Sequence, residues 1–191
     1  MKRLILIAAF SLFLAGCGGE PIETNMSEDL PDFEFTTQEN ETLALDDFKG
    51  NYWIADMVFT NCTTVCLPMT ANMKSLQDMM AEEGIDDVQL VSFSVDPDYD
   101  TPEVLKAYGE SYEADFSNWT FLTGYDFETI KEISIKSFKS MLAEAPEGTD
   151  QVTHGTKFYL INPEGKVIKF YDGVESANMQ SIINDLKKIA Q

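Results

Sequence analysis

Thr60-Asn61-Cys62-Thr63-Thr64-Val65-Cys66-Leu67-Pro68 decides how this chain is read. Immediately before it, Tyr52 to Phe59 is an apolar run of strand length, the pattern of a strand buried on both faces. Immediately after it, Met69, Met73, Leu76 and Met80 recur at steps of four, three and four. That spacing makes one apolar helix face, and Gly84 ends the helix. The two cysteines therefore stand where a buried strand hands over to a helix. At a helix start, sulfurs four residues apart share one face about one turn apart, and Cα atoms about 6 Å apart lie within disulfide range. The positive end of the helix dipole favours thiolate over thiol there. Two thiolates side by side also form a soft chelate, suited to Cu(I) over hard cations. A structural staple across so short a loop gains little chain entropy, so the spacing points to redox or metal chemistry.

Working outward, Val88 to Val95 is a second buried strand. Thr101-Pro102-Glu103 places an N-cap before a proline at the first helical position, opening a helix to about Tyr112. Trp119 to Leu122 is a short strand, and Asp126 caps a helix running to about Phe138. Lys157 to Ile161 and Val167 to Tyr171 flank the turn Asn162-Pro163-Glu164-Gly165. Ser176 precedes a helix whose Met179, Ile182, Ile183, Leu186 and Ile189 make one apolar stripe. Towards the N-terminus, Phe33 to Leu45 alternates around Gln38-Glu39-Asn40, a small hairpin. This order predicts an α/β domain with a central mixed sheet flanked by helices and an extra N-terminal hairpin. There is no internal repeat.

Composition narrows the function. The 191 residues suit one domain with an ordinary core. With 13 Lys+Arg against 33 Asp+Glu, the net charge of −20 excludes a nucleic-acid binder that works by neutralising phosphates. One His and three Cys exclude a zinc-finger array. Met1-Lys2-Arg3 is a short basic region, and the apolar run of 11 residues from Leu4 to Leu14, broken only by Ser11, falls short of the roughly 20 a bilayer needs. It suits a secretory leader. Leu14-Ala15-Gly16-Cys17 resembles the lipobox of bacterial lipoproteins, which implies acylation at Cys17. The expected organisation is a signal peptide at 1–16, a lipidated Cys17 with a flexible acidic tether to 31, and one domain over 32–191. Without the leader, 11 basic side chains face 33 acidic ones. Such a surface is repelled by anionic headgroups, so attachment to the membrane rests on the lipid. The domain then faces outward from the cell membrane, where thiols oxidise.

His154 is the single imidazole, in a predicted loop just before the Lys157 strand. Taken together, Phe59-Thr60-Asn61-Cys62, Cys66, Ser92-Phe93-Ser94-Val95-Asp96-Pro97, Asp100-Thr101-Pro102, Asn118-Trp119, Leu122-Thr123-Gly124 and His154 resemble the Sco/SenC family. Tyr159-Leu160-Ile161 and Pro163-Glu164-Gly165-Lys166-Val167 also fit, and the resemblance covers Leu30 to Ala190. It implies a thioredoxin-like fold that binds one copper, as Cu(I) or Cu(II), and assembles cytochrome c oxidase. By position the implied ligands are Cys62, Cys66 and His154, with Asp96 beside the metal without ligating it. The implied acceptor is the CuA centre in oxidase subunit II, with a copper donor or a thiol reductase as further partners. One departure stands out: the family usually has Pro directly after the second Cys, whereas Leu67 follows Cys66 here and Pro68 comes next. Leu67 restores a backbone donor near the sulfur, which tunes the site without removing it.

Three other readings compete. A metal-free thioredoxin-like reductase needs only Cys62 and Cys66 and leaves His154 without a role. Its usual spacing is CxxC, one residue shorter. A peroxiredoxin-like peroxidase wants an Arg beside its cysteine, and residues 17–191 contain none. A tethered copper sensor differs only in its partner.

Overall fold

The computed structural model describes residues 21–62 and 66–189. Cys17, the leader and the start of the tether lie outside the described residues. Among the described residues no helix is long and apolar enough to cross a membrane.

The centre of the fold is β4 (Trp53–Val58), with all six residues buried. It pairs in parallel with β5 (Gln89–Ser94), Trp53 opposite Gln89 through Val58 opposite Ser94. Next in space comes β6 (Trp119–Thr123), also parallel. On its other side β4 meets β9 (Lys157–Ile161) antiparallel, and β9 meets β10 (Lys166–Asp172). At one edge lies the two-residue β1 (Glu28–Asp29), and at the other the hairpin of β2 (Glu34–Thr37) and β3 (Thr42–Ala44). The eight strands run β1-β10-β9-β4-β5-β6-β2-β3. The mixed sheet and the N-terminal hairpin are as the sequence predicts; the hairpin docks by pairing β2 against β6.

Helix α1 (Cys66–Glu83) returns the chain from β4 to β5, and α2 (Pro102–Ser111) from β5 to β6. Successive right-handed crossovers in one direction put both on one face, where Thr70 Oγ1 meets Tyr108 Oη at 2.7 Å. Met69, Met73, Leu76 and Met80 of α1 are at most 1% exposed, each contributing about 1.5–3 kcal/mol by burial. The caps act as expected. Thr101 accepts from Val104 N–H at the start of α2, and Asp126 from Thr129 N–H at the start of α3 (Phe127–Lys136); such caps contribute about 1 kcal/mol each. On the opposite face, Phe138 packs edge-on against Phe93 and at a tilt against Tyr159. Helix α4 (Ala177–Ile189) buries Met179, Ile182, Ile183 and Leu186.

Two features depart from the expectation. Residues 17–31 read as a flexible tether, yet from Ile22 the chain is part of the domain. Ile22 and Leu30 are 7% and 8% exposed, Asn25 and Met26 N–H both donate to Ile168 O, and Asn25 bonds Phe170 through its side chain. The segment's backbone N–H groups satisfy the open edge of β10 while Ile22 and Leu30 are buried, which composition alone does not reveal. The second feature is a separate ribbon of β7 (Leu142–Ala143) and β8 (Thr153–His154), with Leu142 opposite His154. His154 thus sits in a short strand, not in a loop.

Candidate metal centre

Strand β4 ends at Val58, and the turn after it is fixed from below. Asp100, with no exposed surface, accepts Thr60 Oγ1–H at 2.6 Å and Ser94 Oγ–H at 2.6 Å, and Thr60 N–H at 3.3 Å. This carboxylate ties the turn before Cys62 to the end of β5, where Val95 N–H donates to Val58 O. Cys62 and Cys66 are both free thiols and both buried. Cys66 lies in helix α1 and Cys62 outside any helix. Cys62 Sγ accepts Cys66 N–H at 3.4 Å, so the two sulfurs stand side by side as their spacing suggested.

The ribbon brings His154 to the same point. Its Nε2 lies 3.1 Å from Cys66 Sγ, and its ring stands edge-on to Phe59 at 5.7 Å between centroids. Nδ1 is 2.8 Å from Gly155 O. A carbonyl only accepts, so Nδ1 carries the hydrogen and Nε2 offers its lone pair towards the sulfurs. The Sγ atoms of Cys62 and Cys66 and a ring nitrogen of His154 all lie within 4.8 Å of one another, close enough to hold a single ion. Two soft sulfurs and an imidazole suit Cu(I), or Cu(II) with an added ligand, far better than Mg²⁺ or Ca²⁺.

The SCO1/SenC family model matches residues 23–191, which include every one of these groups. The chain belongs to the SCO1/SenC family. It is 46% identical over 176 residues to the SCO1 protein homolog of Bacillus subtilis, covering 92% of this chain and 90% of that one. It is 29% identical over 139 residues to a putative copper-binding protein of Stutzerimonas stutzeri, covering 72% and 66%. Among solved structures, a SCO1/SenC family lipoprotein from Bacillus anthracis superposes with TM-score 0.81 at 50% identity, covering 86% of this chain and 96% of that one. BsSco, a member of the Sco family of cytochrome c oxidase assembly proteins with an identified disulfide switch, gives 0.80 at 44% identity, covering 88% and 97%. This SCO1/SenC chain therefore has the thioredoxin-like architecture that the sequence resemblance implied.

The electrostatics differ from the simple helix-dipole picture. Burial pushes the Cys66 thiol well up, and the neighbouring Cys62 and Asp56 add to the effect. With Cys66 only 1% exposed, desolvation outweighs the dipole, so Cys66 rests as a thiol until a metal or disulfide takes its proton.

Asp56 is a site neighbour that the sequence reading passed over. It lies 2% exposed in the middle of β4, opposite Ser92. Ser92 Oγ–H donates to its Oδ1 at 2.6 Å while accepting Trp119 Nε1–H at 3.0 Å. Burial pushes its carboxyl up to about 6, with Ser92 and then His154 pulling the other way. The available signal was a single carboxylate inside an otherwise apolar strand.

Asp96, which the resemblance places beside the metal, lies on the side of the segment that carries Asp150 and Val152 towards His154. Its carboxyl, raised by burial and by Asp98 and Asp150, lines a surface cavity of about 320 Å³ with Asp98, Glu144 and Asp150. The turn that follows it reverses the chain, with Tyr99 and Asp100 N–H donating to Asp96 O. That reversal sends Asp100 inward under the cysteine turn.

Proposed function

We propose that this protein is a membrane-tethered copper chaperone working on the extracytoplasmic face of the cell membrane. In this reading it binds one copper through Cys62, Cys66 and His154 and delivers it to the CuA centre of cytochrome c oxidase subunit II. The observation that carries the reading is the convergence of those three side chains on one point, the cysteine segment and His154 coming from two distant parts of the chain. His154 decides between the candidates. A dithiol reductase has no use for an imidazole 3.1 Å from its inner sulfur, whereas a copper site needs that third donor. Family membership supports the oxidase as the destination. The Leu14-Ala15-Gly16-Cys17 sequence supports attachment through lipid on Cys17.

The ligands divide the work of transfer. Cys62 is 7% exposed and Cys66 1%, so an acceptor thiolate reaches the metal from the Cys62 side. Cys62 then leaves first while Cys66 and His154 keep hold, and the ion is never free. The same pair is equipped for thiol–disulfide exchange: two thiols give up two protons and two electrons to an acceptor disulfide, leaving Cys62 and Cys66 joined. Reduction of the acceptor's cysteines would prepare them for the copper that follows.

The test is titration of the reduced protein with copper, followed by absorption spectroscopy, beside His154→Ala. Saturation at one copper per chain, with a sulfur-to-copper charge-transfer band that His154→Ala shifts or weakens, supports the reading. Copper that only catalyses oxidation of the cysteine pair, with no effect of His154→Ala, sinks it and leaves a tethered reductase. Intact mass of membrane-extracted protein checks the anchor, since an unmodified Cys17 would remove it.

A further inference from the structure

The segment between β7 and β8, residues 144–152, carries the chain to His154, and its far end is fastened to the cysteine turn. Asn61 Nδ2–H donates to Asp150 Oδ2 at 2.5 Å. Gln151 Nε2–H donates to Asn61 O at 3.1 Å and to Asp150 Oδ1 at 2.8 Å. Asn61 is the residue before Cys62, and Gln151 stands three before His154. The three side chains therefore join the two halves of the metal centre directly, one residue from a sulfur ligand on one side and within one short strand of the imidazole on the other. Elsewhere His154 is held by its two-residue pairing with Leu142 and Ala143 in the ribbon, by its own Nδ1–H to Gly155 O, and by the edge-on packing of its ring against Phe59. A ribbon so short does not fix the approach of a side chain by itself.

We propose that Asn61, Asp150 and Gln151 form a latch that sets how closely His154 approaches the cysteine pair, making them positioning residues of the metal centre. The proposal rests on the copper reading and extends it. With the latch closed, Nε2 stays in reach of an ion on the two sulfurs; with it open, residues 144–154 swing on the ribbon and the site falls to two sulfur donors. Because Asn61 is partly exposed and Asp150 exposed, a docking partner can compete for these hydrogen bonds. Opening the latch would then be the step that weakens the hold on copper when the acceptor arrives.

Donor and acceptor can be exchanged, and that gives the test. Asn61→Asp sets two carboxylates against each other and opens the latch. Asn61→Asp combined with Asp150→Asn rebuilds it reversed: the amide now at position 150 donates to the carboxylate now at position 61 and still accepts from Gln151. The measurements are Cu(II) affinity by chelator competition, imidazole-nitrogen coupling in the electron paramagnetic resonance of the Cu(II) form, and hydrogen exchange over residues 144–154 in metal-free protein. The single variant is expected to lose about tenfold or more in Cu(II) affinity, as when partners of a ligand histidine are removed. It should also lose the nitrogen coupling and exchange faster, and the double variant should recover all three. A carboxylate near Cys62 weakens binding by charge alone, but it does not remove a nitrogen from the metal, so the coupling separates the two effects. Gln151→Ala, which adds no charge, serves if Asn61→Asp does not fold. The latch is overturned if Asn61→Asp or Gln151→Ala keeps wild-type coupling and exchange, or if the exchanged pair recovers nothing. If His154→Ala itself leaves copper affinity and spectrum unchanged, the copper reading has failed, a distinct result.

Discussion

Replacing Asp56 by Asn should stabilise the reduced, metal-free protein at neutral pH and not in acid. Asp56 is 2% exposed in the central strand, and burial raises its carboxyl from 3.8 to about 6. Well below 3.8 the group is protonated in both folded and unfolded chains, and it costs nothing. As pH rises from 3.8 towards 6 the unfolded chain gives up this proton first, so ionisation favours unfolding. Above 6 the full difference is in place, a penalty of about 3 kcal/mol carried by the folded state. The Asp56→Asn amide removes that penalty and keeps an oxygen as acceptor for Ser92 Oγ–H, which Asp56 receives at 2.6 Å. Its new amide hydrogens need partners, at a cost of about 1–2 kcal/mol if they find none. The net expectation is a gain of about 1–3 kcal/mol at about pH 7.5 and none, or a small loss, at about pH 4. Urea unfolding of both proteins under reductant at the two pH values measures this. Equal effects at both pH values, or destabilisation at the higher one, would refute the account of Asp56 as a desolvated carboxylate. The same variant removes a negative neighbour from Cys66, so alkylation of Cys66 should set in at lower pH.

Asp100→Ala leaves Thr60 and Ser94 without their buried acceptor; about 3 kcal/mol of stability should go in chemical denaturation, and copper binding should weaken with the turn. Gly155→Ala would place a Cβ 1.9 Å from Ser140 Oγ, so Ser140 or the His154 strand must move. The expected result is a folded protein with a clearly weaker His154 contribution to the copper spectrum, and wild-type spectra would count against it. Copper loading near neutral pH should release at least one proton per metal, because burial holds Cys66 as a thiol beforehand. Calorimetry in buffers of different ionisation enthalpy counts that release, and a value near zero would show that Cys66 is already a thiolate.

What the sequence made legible follows from which signals are local. Thr101-Pro102 and Asp126 announce α2 and α3 because capping is chemistry between residues three apart. The Asn162 turn is equally local, with Asn162 Oδ1 accepting the N–H of Glu164 and Lys166. Cys62, Cys66 and His154 were legible because soft donors are scarce in this chain and because the pattern resembles a known family. Asp100 shows the limit. It belongs to one acidic stretch with Asp96 and Asp98, and only the reversal after Asp96 determines that Asp100 turns inward. Asp56 was hidden differently: a strand buried on both faces has lost the alternation that would flag which side each residue faces. Strands β1, β7 and β8 have two residues each, too few for any period; β1 exists because the longer β10 offers it an edge, and β7 and β8 because the chain brings them together.

The arrangement of donors argues for a site built to let go. A site meant to keep its metal draws its ligands from rigid, mutually packed elements and closes its coordination sphere. Here one ligand, Cys66, lies in the long helix α1 and is nearly inaccessible, while the other two lie on a turn and on a two-residue strand. Cys62 sits on a turn clamped by Asp100, and His154 on a two-residue strand fastened across to Asn61 through Asp150 and Gln151. The clamp on Cys62 lies inside the protein and the fastening on His154 lies at its surface. Only the latter can be released by a partner without unfolding anything. Grip on the ion is thereby separable from integrity of the fold, and a variant such as Asn61→Asp should weaken the first while sparing the second. A resident cofactor site would not show that separation, because loosening its ligands would loosen its core.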